Sequence, residues 1–249
     1  MANQNFLKSA RLSNSALAIR ALAGLALAFA PAIAVAQTVD PEPQAGSGPV
    51  VQATGVFVSQ IGTTNIARTS QSNTVSSAVV EQDGSGNNAE VTQTGAGSHT
   101  TALVQNGIGN AADATQSGNG ETSLLLTQSG EENVALINQS DANTSLAGAA
   151  SLAEIVQNGE GNGVFLSQNG SGNRANLLQS GNGNVAALTQ NGLDNAMSAV
   201  QLGDANSLSW TQIGDGLSGA TITQNGGQTI EITQTNTGQV FSGQPSSGN

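Results

Sequence analysis

The side chains able to do conventional chemistry are few in this 249-residue chain, which has one histidine, no cysteine, sixteen acids and five bases. His99 stands alone, with no repeated serine or aspartate partner to build a nucleophilic triad. Without thiols and with a single imidazole, the chain has no His-rich or thiolate ligand set for zinc or haem. Four segments match the G-x-G-x-x-A dinucleotide fingerprint: GSGNNA (84–89), GIGNAA (107–112), GSGNRA (170–175) and GNGNVA (181–186). That fingerprint works as one glycine loop between a strand and a helix, whereas here it recurs inside a strand-length period, so nucleotide binding is not expected. Asp83, Glu131, Glu132, Glu160, Asp194, Asp204 and Asp215 carry charge suited to calcium, but the nine-residue Gly/Asp calcium repeat is missing. A net charge of -11 and a pI near 4.1 oppose nucleic-acid phosphates. No catalytic residue, cofactor site or metal site is expected.

The chemistry that remains is amide hydrogen bonding. Glutamines stand at Gln60, Gln71, Gln82, Gln93, Gln105, Gln116, Gln128, Gln139, Gln157, Gln168, Gln179, Gln190, Gln201, Gln212, Gln224 and Gln234. Thirteen of the fifteen intervals are 11 or 12 residues, a regularity a disordered polar tract has no reason to keep. Nine asparagines lie six residues before a glutamine: Asn65, Asn87, Asn110, Asn133, Asn162, Asn173, Asn184, Asn195 and Asn206. Four residues before the glutamine the side chain is apolar in fifteen units and usually Ala, with Thr101 the exception. Two before it the side chain is again apolar in fifteen units, Trp210 among them, with Thr69 the exception.

The elements that must position these amides follow from parity. In N-x-A-x-h-x-Q the Asn, Ala, large apolar residue and Gln are all two apart, so a strand turns all four to one face. The other parity, rich in Ser and Thr next to the glutamine, suits a solvated face. Two residues after the glutamine stands glycine in thirteen units: Gly62, Gly84, Gly95, Gly107, Gly118, Gly130, Gly159, Gly170, Gly181, Gly192, Gly203, Gly214 and Gly226. This predicts a tight turn with a left-handed residue, a conformation that the three departures, Asn73, Asp141 and Asn236, also tolerate. Each unit is then a seven-residue strand and a four-residue turn.

Such a unit cannot hold itself in water, because its backbone groups and thin apolar face need neighbours. Parallel stacking supplies both. The fold class expected is all-β: a parallel β-solenoid of strand-turn-strand coils, about eight coils of two 11-residue units, with amyloid-like cross-β stacking. Inward amides would bond their copies one coil away, which removes the roughly 1–3 kcal/mol cost of leaving a buried amide unpaired. No capping element is evident in the sequence, so both ends are expected to be open to another copy. The interval between Gln139 and Gln157 holds seven extra residues, read as a loop insertion near 144–151.

The N-terminus reads differently. Lys8, Arg11 and Arg20 precede an apolar run, and Ala34 and Ala36 frame the small-x-small pattern of a signal peptidase site, with cleavage before Gln37. The run is too short to span a membrane. The expected organisation is a signal peptide (1–36), a Pro/Gly-rich secretion or linker segment (37–53), the repeat solenoid (54–240) and a C-terminal tail (241–249). Removing 1–36 leaves sixteen acids and two bases, Arg68 and Arg174, hence 2 - 16 = -14. Acids stacked along the turns would repel incoming copies and delay assembly.

The pattern Q-x-G-x-x-N-x-A-x-x-x-Q reads as QNGIGNAADATQ (105–116), QNGSGNRANLLQ (168–179), QSGNGNVAALTQ (179–190) and QNGLDNAMSAVQ (190–201). In these units the chain resembles the curlins, exported subunits of the curli fibres of Gram-negative bacteria. The resemblance implies passage through the periplasm and, unfolded, through an outer-membrane curli secretion channel. It implies polymerisation on a nucleating curlin homologue, and extracellular cell-surface amyloid fibres that support biofilm and adhesion. Residues 37–49 lie where curlins carry a secretion-targeting stretch. The chain departs from the family in having more units than the short curlins and in lacking the Asn of several alternate units in its first half. The partner expected is another copy of the same chain, with no nucleic acid and no membrane insertion once the leader is gone. The competing expectation is a monomeric β-solenoid adhesin, or an ice- or polysaccharide-binding module using the outward Thr/Ser face. That role favours a regular T-x-T array, and the mixed outward residues Phe57, Arg68, Glu90, Leu136, Phe165 and Asn176 do not form one.

Overall fold

A computed structural model describes residues 54–73, 75–141 and 150–244. Every regular element among them is a strand. In chain order these are β1 (Gly55–Thr63), β2 (Ile66–Gln71), β3 (Ser77–Ser85), β4 (Asn88–Thr94), β5 (His99–Ile108) and β6 (Ala111–Gly118). There follow β7 (Thr122–Glu131), β8 (Val134–Asp141), β9 (Ser151–Glu160), β10 (Gly163–Asn169), β11 (Arg174–Ser180) and β12 (Val185–Asn191). The last are β13 (Ala196–Leu202), β14 (Ser207–Ile213), β15 (Ile222–Asn225), β16 (Thr229–Thr235) and β17 (Gly238–Gln244).

Odd strands β1 to β15 form one sheet in which each pairs with the next odd strand, and even strands β2 to β16 form the other. The chain alternates between the sheets, so each odd-even pair is one coil and eight pairs stack. The pairing is parallel throughout these runs, and register is set glutamine on glutamine: Gln168 opposite Gln139 and Gln190, Gln179 opposite Gln157 and Gln201. A one-residue slip would turn every amide and aliphatic outward, so the period-2 pattern strongly specifies this register.

The core between the sheets is narrow. Ala78, Ala89, Ala112, Ala135, Ala153, Ala175 and Ala186 alternate with larger residues such as Val80, Val91, Leu103, Leu126, Ile155, Leu177 and Leu188, all buried. Trp210 is the exception in size. It is buried, donates its indole N–H to Gln234 Oε1 at 2.9 Å, and leaves no room for a side chain at Gly219, whose Cβ would stand 2.8 Å from the ring. Opposite it β15 is reduced to four residues.

Two expectations need correction. The C-terminal end is not open on both sheets: β17 folds back antiparallel on β16, with Gln234 opposite Gln239, and runs across the boundary expected at residue 240. A short hairpin of this kind follows from the turn at Asn236–Thr237 and the strand-forming Val240 and Phe241, which lie outside the 11-residue period. Second, Ser151, placed in the expected insertion, is the buried first residue of β9, where it pairs with Thr122. Residues 144–149 of that insertion lie outside the described residues, as do the expected leader with Ala34, Ala36 and Gln37 and the whole 37–53 segment.

Candidate functional site: amide ladders and strand edges

The glutamines of the odd strands form one column and those of the even strands another. In the odd column Nε2 of Gln60 donates to Gln82 Oε1 at 2.6 Å, and the relay continues through Gln105, Gln128, Gln157, Gln179 and Gln201 to Gln224. In the even column Gln71 begins the same relay through Gln93, Gln116, Gln139, Gln168, Gln190 and Gln212 to Gln234. Every rung is 2.6–3.0 Å, and every one has the same sense: the earlier coil donates and the later coil accepts. The second amide hydrogen goes to a backbone carbonyl, as from Gln105 to Asn88 O at 3.0 Å. Both ladders are therefore polar arrays, aligned hydrogen by hydrogen along the stack.

The asparagines divide unequally. Asn65, Asn87, Asn110, Asn133, Asn162, Asn184 and Asn206 line the turns from odd to even strands, and Gln228 ends their column by donating its backbone N–H to Asn206 Oδ1. Their sense is opposite to that of the glutamines, because the later residue donates to the Oδ1 of the earlier one. The amide also ties the turn to the next coil, as from Asn133 Nδ2 to Gly159 O at 2.9 Å. Only Asn173 and Asn195 stand in the other turns. There the column begins with Ser76, His99, Thr122 and Ser151, all buried, in the units that lack the Asn. Sequence reading missed this column because no single residue type marks it; the only signal was a polar residue (Ser, His or Thr) six places before the glutamine.

His99 is satisfied within that column. Its Nε2 lies 2.9 Å from the carbonyl of Thr94, which can only accept, so the proton sits on Nε2 and Nδ1 accepts from the Thr122 hydroxyl at 2.9 Å. Burial pushes its pKa below the usual 6.5, outweighing the raising influence of the Thr94 and Gly118 backbone and of the Asp141 charge. A neutral, hydrogen-bonded imidazole of this kind is a structural member of the stack.

All thirteen turn glycines have positive φ, from 73° at Gly226 to 130° at Gly192. Most also lie under the next coil: a Cβ on Gly107 would stand 2.0 Å from Gly130 O. The expectation for the three departures is corrected, since Asn73, Asp141 and Asn236 are not among the positive-φ residues. They stand at the two ends of the stack and beside the insertion, where the chain leaves the common path. A second left-handed position, four after the glutamine, was not foreseen; it is Gly86, Gly109, Gly161, Gly172, Gly183 or Gly216, and elsewhere Thr64, Glu132, Asp194 or Ala205. This second turn residue accounts for the repeated G-x-G, which therefore belongs to turns between strands.

The turn acids Asp83, Glu131, Glu132, Glu160, Asp194, Asp204 and Asp215 are exposed. Among the described residues no group of three or more His, Asp or Glu side chains is placed to hold a metal ion. Some of these carboxylates bond the preceding coil instead: Asp204 accepts from Asn182 N–H and Asp215 from Leu193 N–H, both at 2.8 Å.

The fold and its inward amide columns define the class: a parallel β-solenoid of two-strand coils stacked by Gln and Asn ladders. Residues 148–177 match the Curlin associated repeat, a match that supports assignment of the chain to the curlin family. The matched segment spans β9, β10 and the start of β11, and the same spacing recurs in the coils on either side. No curated protein and no solved structure matches the chain.

Proposed function

We propose that this protein is a secreted structural subunit that assembles end to end into extracellular curli-like amyloid fibres, supporting a biofilm matrix and adhesion. The observation that carries the reading is the unfinished ladder. At the first coil Gln60 and Gln71 donate upward to Gln82 and Gln93, while each Oε1, the atom that accepts a rung everywhere else, has no coil beneath it among the described residues. The strands above and below a coil in the stack have the same sequence pattern, so another copy presents what the free edge lacks. The curlin repeat and the solenoid fit a curli-like structural subunit, and the curlin family is structural. Export through the periplasm, a nucleating homologue and an outer-membrane channel are carried by that family relation together with the leader-like N-terminus. The test is seeded assembly. Protein lacking residues 1–36, diluted from denaturant, should form fibres after a lag that preformed seeds abolish, with a cross-β diffraction pattern. A chain that stays monomeric with seeds present would refute the reading.

A further inference from the structure

The two ends of the solenoid differ. Among the described residues no strand pairs with the outer edge of β1 or β2, and the inward Val56 and Val58 are 36% and 42% exposed, whereas their counterparts Ala78 and Val80 one coil up are fully buried. At the C-terminal end β16 is covered by β17, and Gln239 accepts the last amide of the even ladder, from Gln234, at 3.3 Å, longer than any parallel rung. The covering strand is held lightly: Val240 and Phe241 are 70% and 59% exposed, so β17 contributes a backbone ladder and buries little apolar surface.

Continuing the parallel register by one step sets β2 of another copy on β16. Gln71 then falls opposite Gln234, as Gln234 falls opposite Gln212 within the chain, and Ala67 opposite Ile230. The same step sets Arg68 opposite Glu231. Arg68 is one of two bases beyond residue 36, and within its own chain it already faces Glu90 on the other side. In a segment of net charge -14 the edge strand thus carries a cation that meets an acid across the junction. The sense of the ladder agrees, because Gln234 offers Nε2 and Gln71 offers Oε1 only in a head-to-tail arrangement.

We propose that β17 is a displaceable strand occupying the docking edge of β16, and that β2 of an incoming copy replaces it with Arg68 beside Glu231. This rests on the end-to-end assembly proposed above. The second copy is the one occupant that matches the edge in backbone register, amide polarity and charge together.

The chain has no cysteine, so a disulfide between register partners can lock the strand. In the variant Thr233→Cys with Val240→Cys, oxidised chain should add at most once to each wild-type seed end and then stop growth. Reduction should restore wild-type elongation, a change of at least ~10-fold in rate. Equal elongation in both redox states overturns the displaceable strand while leaving end-to-end assembly standing. Failure of the reduced variant and of wild-type chain alike to extend seeds overturns both. A second variant reads the register: Arg68→Cys with Glu231→Cys, assembled reduced and then oxidised, should yield covalent multimers. Fibres that release only monomers on denaturation would overturn the Arg68–Glu231 junction.

Discussion

Gln128 donates its Nε2 to Gln157 Oε1 at 2.9 Å across 29 residues of chain, although the neighbouring rungs of that column span 23 and 22. The other column closes over the same gap, Gln139 to Gln168, at 2.8 Å. The insertion therefore leaves both ladders unbroken. Deleting seven residues between Asp141 and Ala150 restores an 11-residue interval, since 18 - 7 = 11. Loop shortening of this size changes closure entropy by under about 1 kcal/mol, so the urea midpoint should hardly move. A loss of several kcal/mol would show that the extra residues support the coil.

A rung removed from the middle and one removed from the end should act on different quantities. Gln168→Leu strands the amide of Gln139 and the Oε1 of Gln190, at about 1–3 kcal/mol for each group left unpaired. Gln60→Leu strands one group, the Oε1 of Gln82, where Gln168→Leu strands two, so its stability cost should be the smaller while seeded elongation slows more than for Gln168→Leu. Chemical denaturation and seeded growth on the same pair of variants separate the two effects. Equal slowing by both would contradict end-to-end templating.

The two glycine positions of the turn should not tolerate alanine equally. Gly183 has φ of 64° and open space around the missing Cβ, so Gly183→Ala should cost about 1 kcal/mol, the left-handed penalty alone. Gly107 has φ of 122° and an added Cβ there would run into the carbonyl oxygen of Gly130, so Gly107→Ala adds a backbone collision to the strain and should cost more than about 3 kcal/mol. Denaturant midpoints of the two variants check the order. Similar losses would mean that the close approach between coils relaxes freely.

His99 makes the stack acid-sensitive in a defined window. Its folded pKa lies below the ordinary 6.5, so on acidification the unfolded chain takes up a proton first. Stability from this group is fully present above about pH 6.5, declines as pH falls toward the lowered folded value, and is level below it. Urea midpoints at about pH 7.5 and about pH 5.5 should therefore differ more for the wild-type chain than for His99→Asn, which removes the titration. Identical pH dependence in the two proteins would show that His99 does not contribute to the acid loss.

The amino-acid sequence by itself determined the strands, the turns and which residues face inward. A period of 2 within each unit and about 11 between units leaves one way to bury Ala, the aliphatics, Gln and Asn together, so Gln105, Val80 and Gly107 could each be placed from spacing alone. It also placed the glutamines in a common column, because identical side chains stack when identical strands do. Only the tertiary structure decided how these columns divide and run. Residue type cannot say that Asn173 and Asn195 share a column with Ser76, His99, Thr122 and Ser151, since those four are of three types, none of them Asn, and are united only by neighbours two units away. Nor can it say that the Gln and Asn ladders point in opposite senses, because that depends on which amide atom meets which after packing. The greatest difference lies at the C-terminal end. β17 breaks the period and turns against the direction of the stack, so nothing in the repeat announces it. It forms because β16, as the last strand of the parallel stack, leaves an edge whose N–H and C=O groups pair with chain within reach.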